Sequence, residues 1–176
     1  MTFTVTPVGA VVIEPERLAD ARGFFARSFC ASEFEAHGMN PRVAQCDISF
    51  NPRRGTLRGM HFQRPPHAEA KLVRCTAGAL YDVALDLRPD SPTFGRHFAI
   101  ELSAENRTLL YLPEGFAHGF QTLADDTEVF YQLSAAYAPD HAGGVRWNDP
   151  AFGIAWPLPV TMIADRDGAF PDFPGR

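Results

Sequence analysis

The sequence predicts an all-β domain, a sandwich or closed barrel with a few short helices. Short apolar runs rich in Val, Leu, Phe and Tyr recur along the chain, and Gly, Pro, Asn and Asp separate them. Both features are typical of strands joined by turns. The length of 176 residues is sufficient for one well-buried core, and no linker or internal repeat divides it. We therefore expect one domain over residues 1–176.

Eight runs have the length and composition of strands. In chain order they are Val43–Phe50, Thr56–Gln63, Leu72–Thr76, Leu80–Leu87, Phe98–Leu102, Thr108–Leu112, Gly119–Leu123 and Glu128–Ser134. Ala77-Gly78, between the third and fourth, indicates a hairpin turn. One short helix is predicted from a capping box formed by Ser32 and Glu35, with Gly38 as its stop. The Pro-rich tail from Pro157 is expected to be an ordered wrap or a short extension.

Composition excludes several classes of protein. The 21 acidic residues exceed the 16 basic residues, giving a net charge of -5, which disfavours a general nucleic-acid surface. Cys30, Cys46 and Cys75 are odd in number and lack paired metal spacing, so a disulfide framework or zinc ribbon is not expected. The early apolar run Val8–Ile13 is too short to span a bilayer. We expect a soluble cytoplasmic protein without nucleic-acid or membrane partners.

The segment Gly55–Gln63, followed by Lys71, gathers residues suited to chemistry beside a carbonyl group. His61 could act as a base, Arg58 could hold an anion and Lys71 could stabilise an oxyanion. Strict alternation would place Arg58 and His61 on opposite faces of one strand. Gly59 lies between them and permits a bulge that would turn both towards one pocket.

Three further positions have both a structural and a functional interpretation. Lys71 shares strand parity with Val73 and Cys75, so its side chain should point to the interior, either as a stem along the wall or as an electrophile. Tyr131 and His118 could be ordinary core residues, because half-buried rings often bond only the backbone. Together with Arg58 and His61 they favour a site. The other histidines receive no role: His37, His67, His97 and His141.

A metal site is not expected. The segment Pro113–His118 resembles the second histidine motif of cupin barrels, and His61-Phe62-Gln63 stands where metal-binding cupins carry a His-X-His pair. Gln63 breaks that pair and is a poor ligand. Glu69 could complete a set with two histidines, but Lys71 would place a cation beside the metal.

The chain resembles the dTDP-4-dehydrorhamnose 3,5-epimerases along nearly its whole length. The matching segments are Asp20–Phe25, Leu57–Gln63, Lys71–Val73, Asp82–Arg88, Ser91–Gly95, Pro113–Phe120, Trp147–Pro150 and Trp156-Pro157. The resemblance implies a cupin-type double-stranded β-helix, which is a jelly-roll barrel. It also implies a homodimer, to which we expect the N-terminal strands to contribute.

The resemblance implies epimerisation at C3 and C5 of a nucleotide-linked 4-keto-6-deoxy sugar. The expected reaction converts dTDP-4-dehydro-6-deoxyglucose to dTDP-4-dehydrorhamnose through an enolate. The implied roles are His61 as base, Asp167 as its orienting carboxylate, Tyr131 as acid, Lys71 facing the enolate and His118 beside the sugar. No cofactor is implied, because the neighbouring ketone already acidifies the carbon.

Substrate-binding residues follow from the same resemblance. Arg22, Arg58 and Arg166 would hold the diphosphate, since guanidinium groups suit phosphate oxygens, and Tyr137 would stack on the base. The base edge would meet Gln45, Asp47 and Arg27. Arg27 and Ala142 stand where the family commonly has acidic residues, and Asp47 where it usually has asparagine, which bears on nucleotide preference.

Other functions stay open on the sequence alone. A monoepimerase for C3 or C5 of a different nucleotide 4-keto sugar would use the same base and acid. A 3,4-ketoisomerase or a metal cupin could share the barrel, but a ketoisomerase would not need this lysine and tyrosine in these places. A binding module without catalysis would keep the arginines but would not need the pair of His61 and Asp167.

Overall fold

The computed structural model describes residues 1–173, which form mainly β-strands. Their bounds are β1 (Thr2–Val5), β2 (Val11–Glu14), β3 (Leu18–Asp20), β4 (Gly23–Phe25), β5 (Gln45–Asn51), β6 (Thr56–Gln63), β7 (Lys71–Ala77), β8 (Ala79–Asp86), β9 (His97–Ser103), β10 (Leu109–Leu112), β11 (Phe116–Thr122), β12 (Thr127–Leu133), β13 (Ala142–Gly144) and β14 (Met162–Ile163). Helices α1 (Ala31–Ala36) and α2 (Asp165–Gly168) are short. A 3-10 turn covers Pro139–His141. Neither described α-helix has the length and apolar character needed to cross a membrane.

The strands form two large sheets. In the first sheet the order is β1-β2-β10-β7-β12-β5, and all neighbours pair antiparallel. In the second the order is β13-β6-β11-β8-β9, with β14 lying parallel to β6. Strands β3 and β4 form a separate hairpin. The expected all-β jelly-roll architecture is confirmed.

The main core lies between the two sheets. From the first sheet, Val73 on β7 and Val129 on β12 are fully buried in it. From the second sheet, Leu80 and Ala84 on β8 and Phe120 on β11 pack into the same cluster. Alternate residues of each strand therefore point inwards, as a two-layer β fold requires. Any side chain with the same parity as these residues also faces the space between the sheets.

All eight predicted strands are present, with ends shifted by a few residues. The largest shift is in β11, which begins at Phe116 instead of Gly119. Six short strands escaped prediction: β1, β2, β3, β4, β13 and β14. Each has two to four residues, which is too short for a periodic pattern to stand out.

The predicted hairpin at Ala77-Gly78 is wrong. Strands β7 and β8 belong to different sheets, and they pair with other strands instead of with each other. Gly78 has φ of +72°, and a Cβ there would come within 2.5 Å of the Thr127 hydroxyl oxygen. Glycine therefore allows the chain to pass from one sheet to the other in a single residue.

The predicted capping box is also wrong. The N-cap of α1 is Cys30, which makes no side-chain capping bond, and Ser32 lies inside the first turn. The Ser32 hydroxyl contacts the Cys30 thiol at 3.2 Å. Gly38 follows the helix with φ of +72°, as predicted for a stop.

The tail after Pro157 lies along the second sheet. The backbone N–H of Leu158 donates to the side chain of Gln121, and β14 pairs with the start of β6. Helix α2 follows and brings Asp167 to β6. The last three residues of the predicted domain, 174–176, lie outside the described residues.

Candidate active site

A cavity of about 770 Å³ opens between the two sheets. It is lined by nine of the residues predicted from the sequence: Gln45, Asp47, Arg58, His61, Lys71, His118, Tyr131, Tyr137 and Arg166. Asp167 lies directly behind His61. The two walls carry different chemistry, because His61 and His118 belong to the second sheet while Lys71 and Tyr131 belong to the first.

His61 and Asp167 form a hydrogen-bonded pair at the wall of the cavity. Nε2 of His61 lies 2.7 Å from Oδ1 of Asp167. A carboxylate can only accept, so Nε2 carries the proton and Nδ1 is left as the basic nitrogen. Burial acts to raise the pKa of the Asp167 carboxyl, but its hydrogen bonds to His61 and the Gly59 N–H and its interaction with Arg166 together outweigh burial, and the net shift is downward. Asp167 thus stays ionised and fixes the ring.

A backbone irregularity brings Arg58 and His61 to the same cavity. In the β6–β11 ladder His61 is opposite His118 but Arg58 is opposite Phe120, so the register shifts between them. Gly59 has φ of +130°, and a Cβ there would lie 2.5 Å from the Cα of Gly119. The expected bulge at Gly59 is confirmed, and only glycine fits the approach of the two strands.

Arg166 and Phe170 surround the outer side of His61. The Arg166 guanidinium donates to Asp167 Oδ1 at 3.4 Å and lies 3.2 Å from Nε2 of His61. Because Nε2 already carries a proton for Asp167, the arginine remains available to an anion. The Phe170 ring meets the His61 ring edge to face. His61 is therefore held on one side by charge and on another by an aromatic ring.

Tyr131 faces the cavity from β12. Its hydroxyl is 2.9 Å from the hydroxyl of Ser49 on the neighbouring strand β5. Burial raises the pKa of the Tyr131 phenol, and the nearby charge of Asp82 adds to that shift. The phenol therefore keeps its proton at neutral pH and can act as a donor.

His118 and Asp82 form a second histidine–carboxylate pair deeper in the barrel. Nε2 of His118 lies 2.7 Å from Oδ1 of Asp82, and both side chains are almost completely buried. The His118 ring packs edge to face on Tyr131, with centroids 6.1 Å apart. The second pair thus supports the ring of the tyrosine.

Lys71 begins β7 and points inwards, as its parity with Val73 and Cys75 predicted. Its ammonium forms an ion pair with Glu69 at 3.1 Å and donates to the backbone carbonyl of His61 at 3.4 Å. A charged donor is therefore fixed on the wall opposite His61. This position suits stabilisation of a developing oxyanion in the cavity.

Polar contacts also order the binding residues. Arg58 donates through Nε to the side chain of Asn51 at 2.7 Å. Gln45 donates to Asp47 at 2.7 Å and accepts from the backbone N–H of Tyr137 at 2.9 Å. The Tyr137 ring is more than half exposed. One end of the cavity thus carries a guanidinium, and another carries an open aromatic ring beside amide and carboxylate groups.

Arg22 and Arg27 do not reach this cavity in the single chain. Arg22 pairs with Asp20 in the turn between β3 and β4. Arg27 pairs with Glu33 at 2.7 Å, near the start of α1. For either arginine to act at the site, it would have to reach a cavity through contacts that this single chain does not make.

The described residues contain no group of three or more metal-ligating side chains. Gln63, which stands in the place of a metal ligand, uses its amide elsewhere. Its Oε1 accepts from the N–H of Ala138 at 2.6 Å, and its Nε2 donates to the carbonyl of His67 at 3.0 Å. Gln63 therefore links backbone segments around the cavity.

Sequence reasoning missed several side chains that support the site. Ser49 and Asn51 share parity with Gln45 and Asp47 on β5, while the alternate residues Cys46, Ile48 and Phe50 are exposed. The signal was present in this inverted alternation, with polar residues at every second position of an apolar run. The remaining omissions are Asp82, Phe170 and the pairing role of Glu69.

Known proteins resemble this chain in both sequence and structure. The family model for dTDP-4-dehydrorhamnose 3,5-epimerase matches residues 6–174. The chain belongs to the dTDP-4-dehydrorhamnose 3,5-epimerase family. It is 44% identical to the member from Sinorhizobium fredii, over 91% of this chain and 83% of that protein. As a member of this family it is an isomerase, in the epimerase class.

Two solved structures of similar proteins extend the comparison. The epimerase from Bacillus anthracis, solved with TDP and PPi bound, is 40% identical with a TM-score of 0.93, covering 98% of this chain and 100% of that one. ChmJ, a 3'-monoepimerase from Streptomyces bikiniensis solved with dTDP-quinovose, is 37% identical with a TM-score of 0.86, covering 95% and 85%. Proteins similar to this chain therefore include a 3,5-epimerase and a 3'-monoepimerase on one fold.

Proposed function

We propose that this protein epimerises dTDP-4-dehydro-6-deoxyglucose at C3 and C5 to give dTDP-4-dehydrorhamnose. The observation that carries the proposal is the pair of His61 and Asp167 on one wall of the cavity, with Tyr131 and Lys71 on the other. Inversion at carbon needs a base on one face and an acid on the opposite face. Family membership supplies the substrate class.

The proton transfers follow from the arrangement of the groups. Nδ1 of His61 takes the proton from the carbon next to the C4 ketone, and the C–H electron pair moves to the C4 oxygen. The ammonium of Lys71 stabilises the resulting enolate. The Tyr131 phenol then returns a proton to the other face of the same carbon, and exchange with solvent restores both groups. The scheme uses side chains alone and no cofactor.

The nucleotide diphosphate is proposed to lie across the outer part of the cavity. Arg58 and Arg166 present guanidinium groups there for the phosphates. Tyr137 offers an exposed ring for stacking on the base, next to Gln45 and Asp47.

The three cysteines are unpaired, which is consistent with a reducing cytoplasm.

A homodimer is proposed to complete the site. Large apolar side chains are exposed on the edge strand β5 and on the β3–β4 hairpin: Ile48, Phe50, Leu18, Phe24 and Phe25. A second copy packed on these surfaces would cover them. Arg22 and Arg27 lie on or next to the same hairpin, so their proposed contact with the nucleotide would come through that second copy.

The test is incorporation of deuterium into dTDP-4-keto-6-deoxyglucose in heavy water, followed by mass spectrometry. Wild-type protein should add two deuterons. His61→Asn should lose exchange by about 1,000-fold or more while still binding dTDP. His37→Asn is the matched control, because its ring stacks on Phe3 outside the cavity. Absence of exchange with the wild-type protein would contradict the proposal.

A second candidate is a monoepimerase that acts at one carbon only. ChmJ, which shares the fold at 37% identity, is such an enzyme. The same deuterium experiment separates the candidates, since a single epimerase adds one deuteron and a double epimerase adds two.

A further inference from the structure

Lys71 is the only lysine in the sequence, and its side chain is about nine-tenths buried. In the described part of the chain its ammonium contacts Oε1 of Glu69 at 3.1 Å and the carbonyl of His61 at 3.4 Å. The Glu69 side chain is equally buried. A lysine has a flexible four-carbon stem, so its direction depends on the groups that hold its end. Here the shorter of the two contacts, and the one with opposite charge, is Glu69.

Glu69 is itself held on its other side. Its Oε2 accepts from Nε2 of Gln63 at 2.9 Å. The orientation of the Gln63 amide is fixed, because Oε1 accepts from the N–H of Ala138 and the two N–H groups of Nε2 are shared among Glu69 and the carbonyls of His67 and Ala136. The backbone around the cavity thus fixes Gln63, Gln63 fixes Glu69, and Glu69 fixes Lys71.

We propose that Glu69 is a positioning residue that aims the Lys71 ammonium into the cavity. The inference rests on the proposed function, in which Lys71 faces the C4 oxygen of the keto sugar. Glu69 does not need to touch the substrate to act. It keeps a charged donor at one place before the enolate forms, so that no reorganisation is needed when negative charge develops there.

Replacement of Glu69 by glutamine tests the orientation as well as the charge. Nε2 of Gln63 would still point at the position of Oε2, so the new amide must place its carbonyl there. Its NH2 group would then face the ammonium of Lys71, donor against donor. Glu69→Gln should therefore release Lys71 without changing the volume of the side chain.

The first readout is nuclear magnetic resonance of protein labelled with 15N at the lysine side-chain nitrogen, which gives a single signal because Lys71 is the only lysine. In the wild type the ammonium protons should be protected from water by their hydrogen bonds. Glu69→Gln should make their exchange with water at least about tenfold faster, as expected for a lost bond to a charged group. An unchanged signal would overturn the proposal.

Glu128→Gln is the matched control for this readout. Glu128 lies on β12 and accepts a hydrogen bond from the Thr76 hydroxyl at 2.7 Å, so the variant loses one negative charge in the same sheet. The Lys71 signal should stay as in the wild type. A thermal melt of both variants checks that each remains folded.

The second readout is kcat on the keto sugar in a double-mutant cycle. Glu69→Gln should lower kcat by about 10- to 100-fold, and Lys71→Met by about 100- to 1,000-fold. If Glu69 acts through Lys71, the double variant should be no slower than Lys71→Met. Additive losses, or a Glu69→Gln variant as fast as the wild type, would overturn the proposal.

The two readouts separate failure of the inference from failure of the proposed function. The resonance experiment needs no substrate, so it tests the hold of Glu69 on Lys71 by itself. If the wild type and Glu128→Gln both fail to turn over the keto sugar, the proposed function is wrong. If they turn it over while Glu69→Gln keeps the wild-type signal and rate, the inference alone is wrong.

Discussion

The two histidine–carboxylate pairs of the barrel have the same contact distance but different surroundings. Each joins Nε2 of a histidine to a carboxylate oxygen at 2.7 Å. The His61 side chain is 32% exposed at the cavity, whereas that of His118 is only 6% exposed. The first ring is therefore much more accessible to a bound molecule than the second. The contact distance alone does not identify the base.

The second oxygen of each carboxylate shows a further difference. Oδ2 of Asp167 accepts from the backbone N–H of Gly59 at 3.1 Å. Oδ2 of Asp82 is buried and has no hydrogen-bond partner among the described residues. The Asp167 carboxylate is thus clamped by a backbone donor, while that of Asp82 is held on one side only. The same substitution should consequently act differently in the two pairs.

Asp167→Asn should have the larger effect on activity. The N–H of Gly59 would hold the amide carbonyl, so the amide NH2 would face Nε2 of His61. That ring nitrogen would then have to accept, and the proton would move to Nδ1, the proposed basic position. A trapped wrong tautomer costs about 1,000- to 10,000-fold in kcat. Steady-state kinetics on the keto sugar measures it.

Binding of dTDP provides the control for Asp167→Asn. Asp167 lies behind His61 instead of lining the cavity, so the dissociation constant for dTDP should change less than about threefold, which is below about 1 kcal/mol. A loss of binding comparable to the loss of kcat would show that the substitution damages the site as a whole. The tautomer argument would then fail.

The contribution of Asp167 to stability should depend on pH. The pKa of this carboxyl is lower in the folded protein than its ordinary value, because burial, which raises it, is outweighed by the combined effect of His61, the Gly59 N–H and Arg166. Its stabilisation is therefore fully present above the unfolded pKa of about 3.9 and is lost as pH falls through the folded pKa. At pH 7 the wild type should exceed Asp167→Asn by about 2 kcal/mol in free energy of unfolding.

Urea unfolding of both proteins between pH 7 and pH 3 measures this difference. The gap should narrow as the pH falls below about 4. Asp20→Asn is a useful control. Asp20 pairs with Arg22 at the exposed hairpin turn, so this variant removes a carboxyl far from His61. If the difference in free energy of unfolding between wild type and Asp167→Asn does not narrow in acid, the lowered pKa of Asp167 is contradicted.

The sequence predicted the longer strands and most of the side chains that line the cavity, but not how these residues support one another. Apolar periodicity predicted the eight long strands. The strand parity of Lys71 and Tyr131 correctly predicted that both side chains point into the barrel. The bulge at Gly59 was expected because Arg58 and His61 could not otherwise share a cavity. Local pattern is sufficient wherever one strand decides the direction of a side chain.

Contacts between distant segments could not be predicted in this way. Asp82 reaches His118 across 36 positions of sequence, and Asp167 reaches the Gly59 N–H across 108. The hairpin predicted at Ala77-Gly78 failed for the same reason, since a local turn signal does not reveal which sheet the next strand joins. Pairing across the barrel depends on tertiary packing, which single-strand periodicity does not encode.

Asp82→Asn should have a smaller effect on kcat and stability than Asp167→Asn. Because none of residues 1–173 donates to Oδ2, the new amide can turn its carbonyl towards Nε2–H of His118, so the ring keeps its tautomer. The loss of a charged acceptor should cost about 1–2 kcal/mol of stability in urea unfolding and less than about tenfold in kcat. A kcat loss as large as that of Asp167→Asn would show that the buried pair also takes part in proton transfer. The contrast between the clamped and the unclamped carboxylate would then be lost.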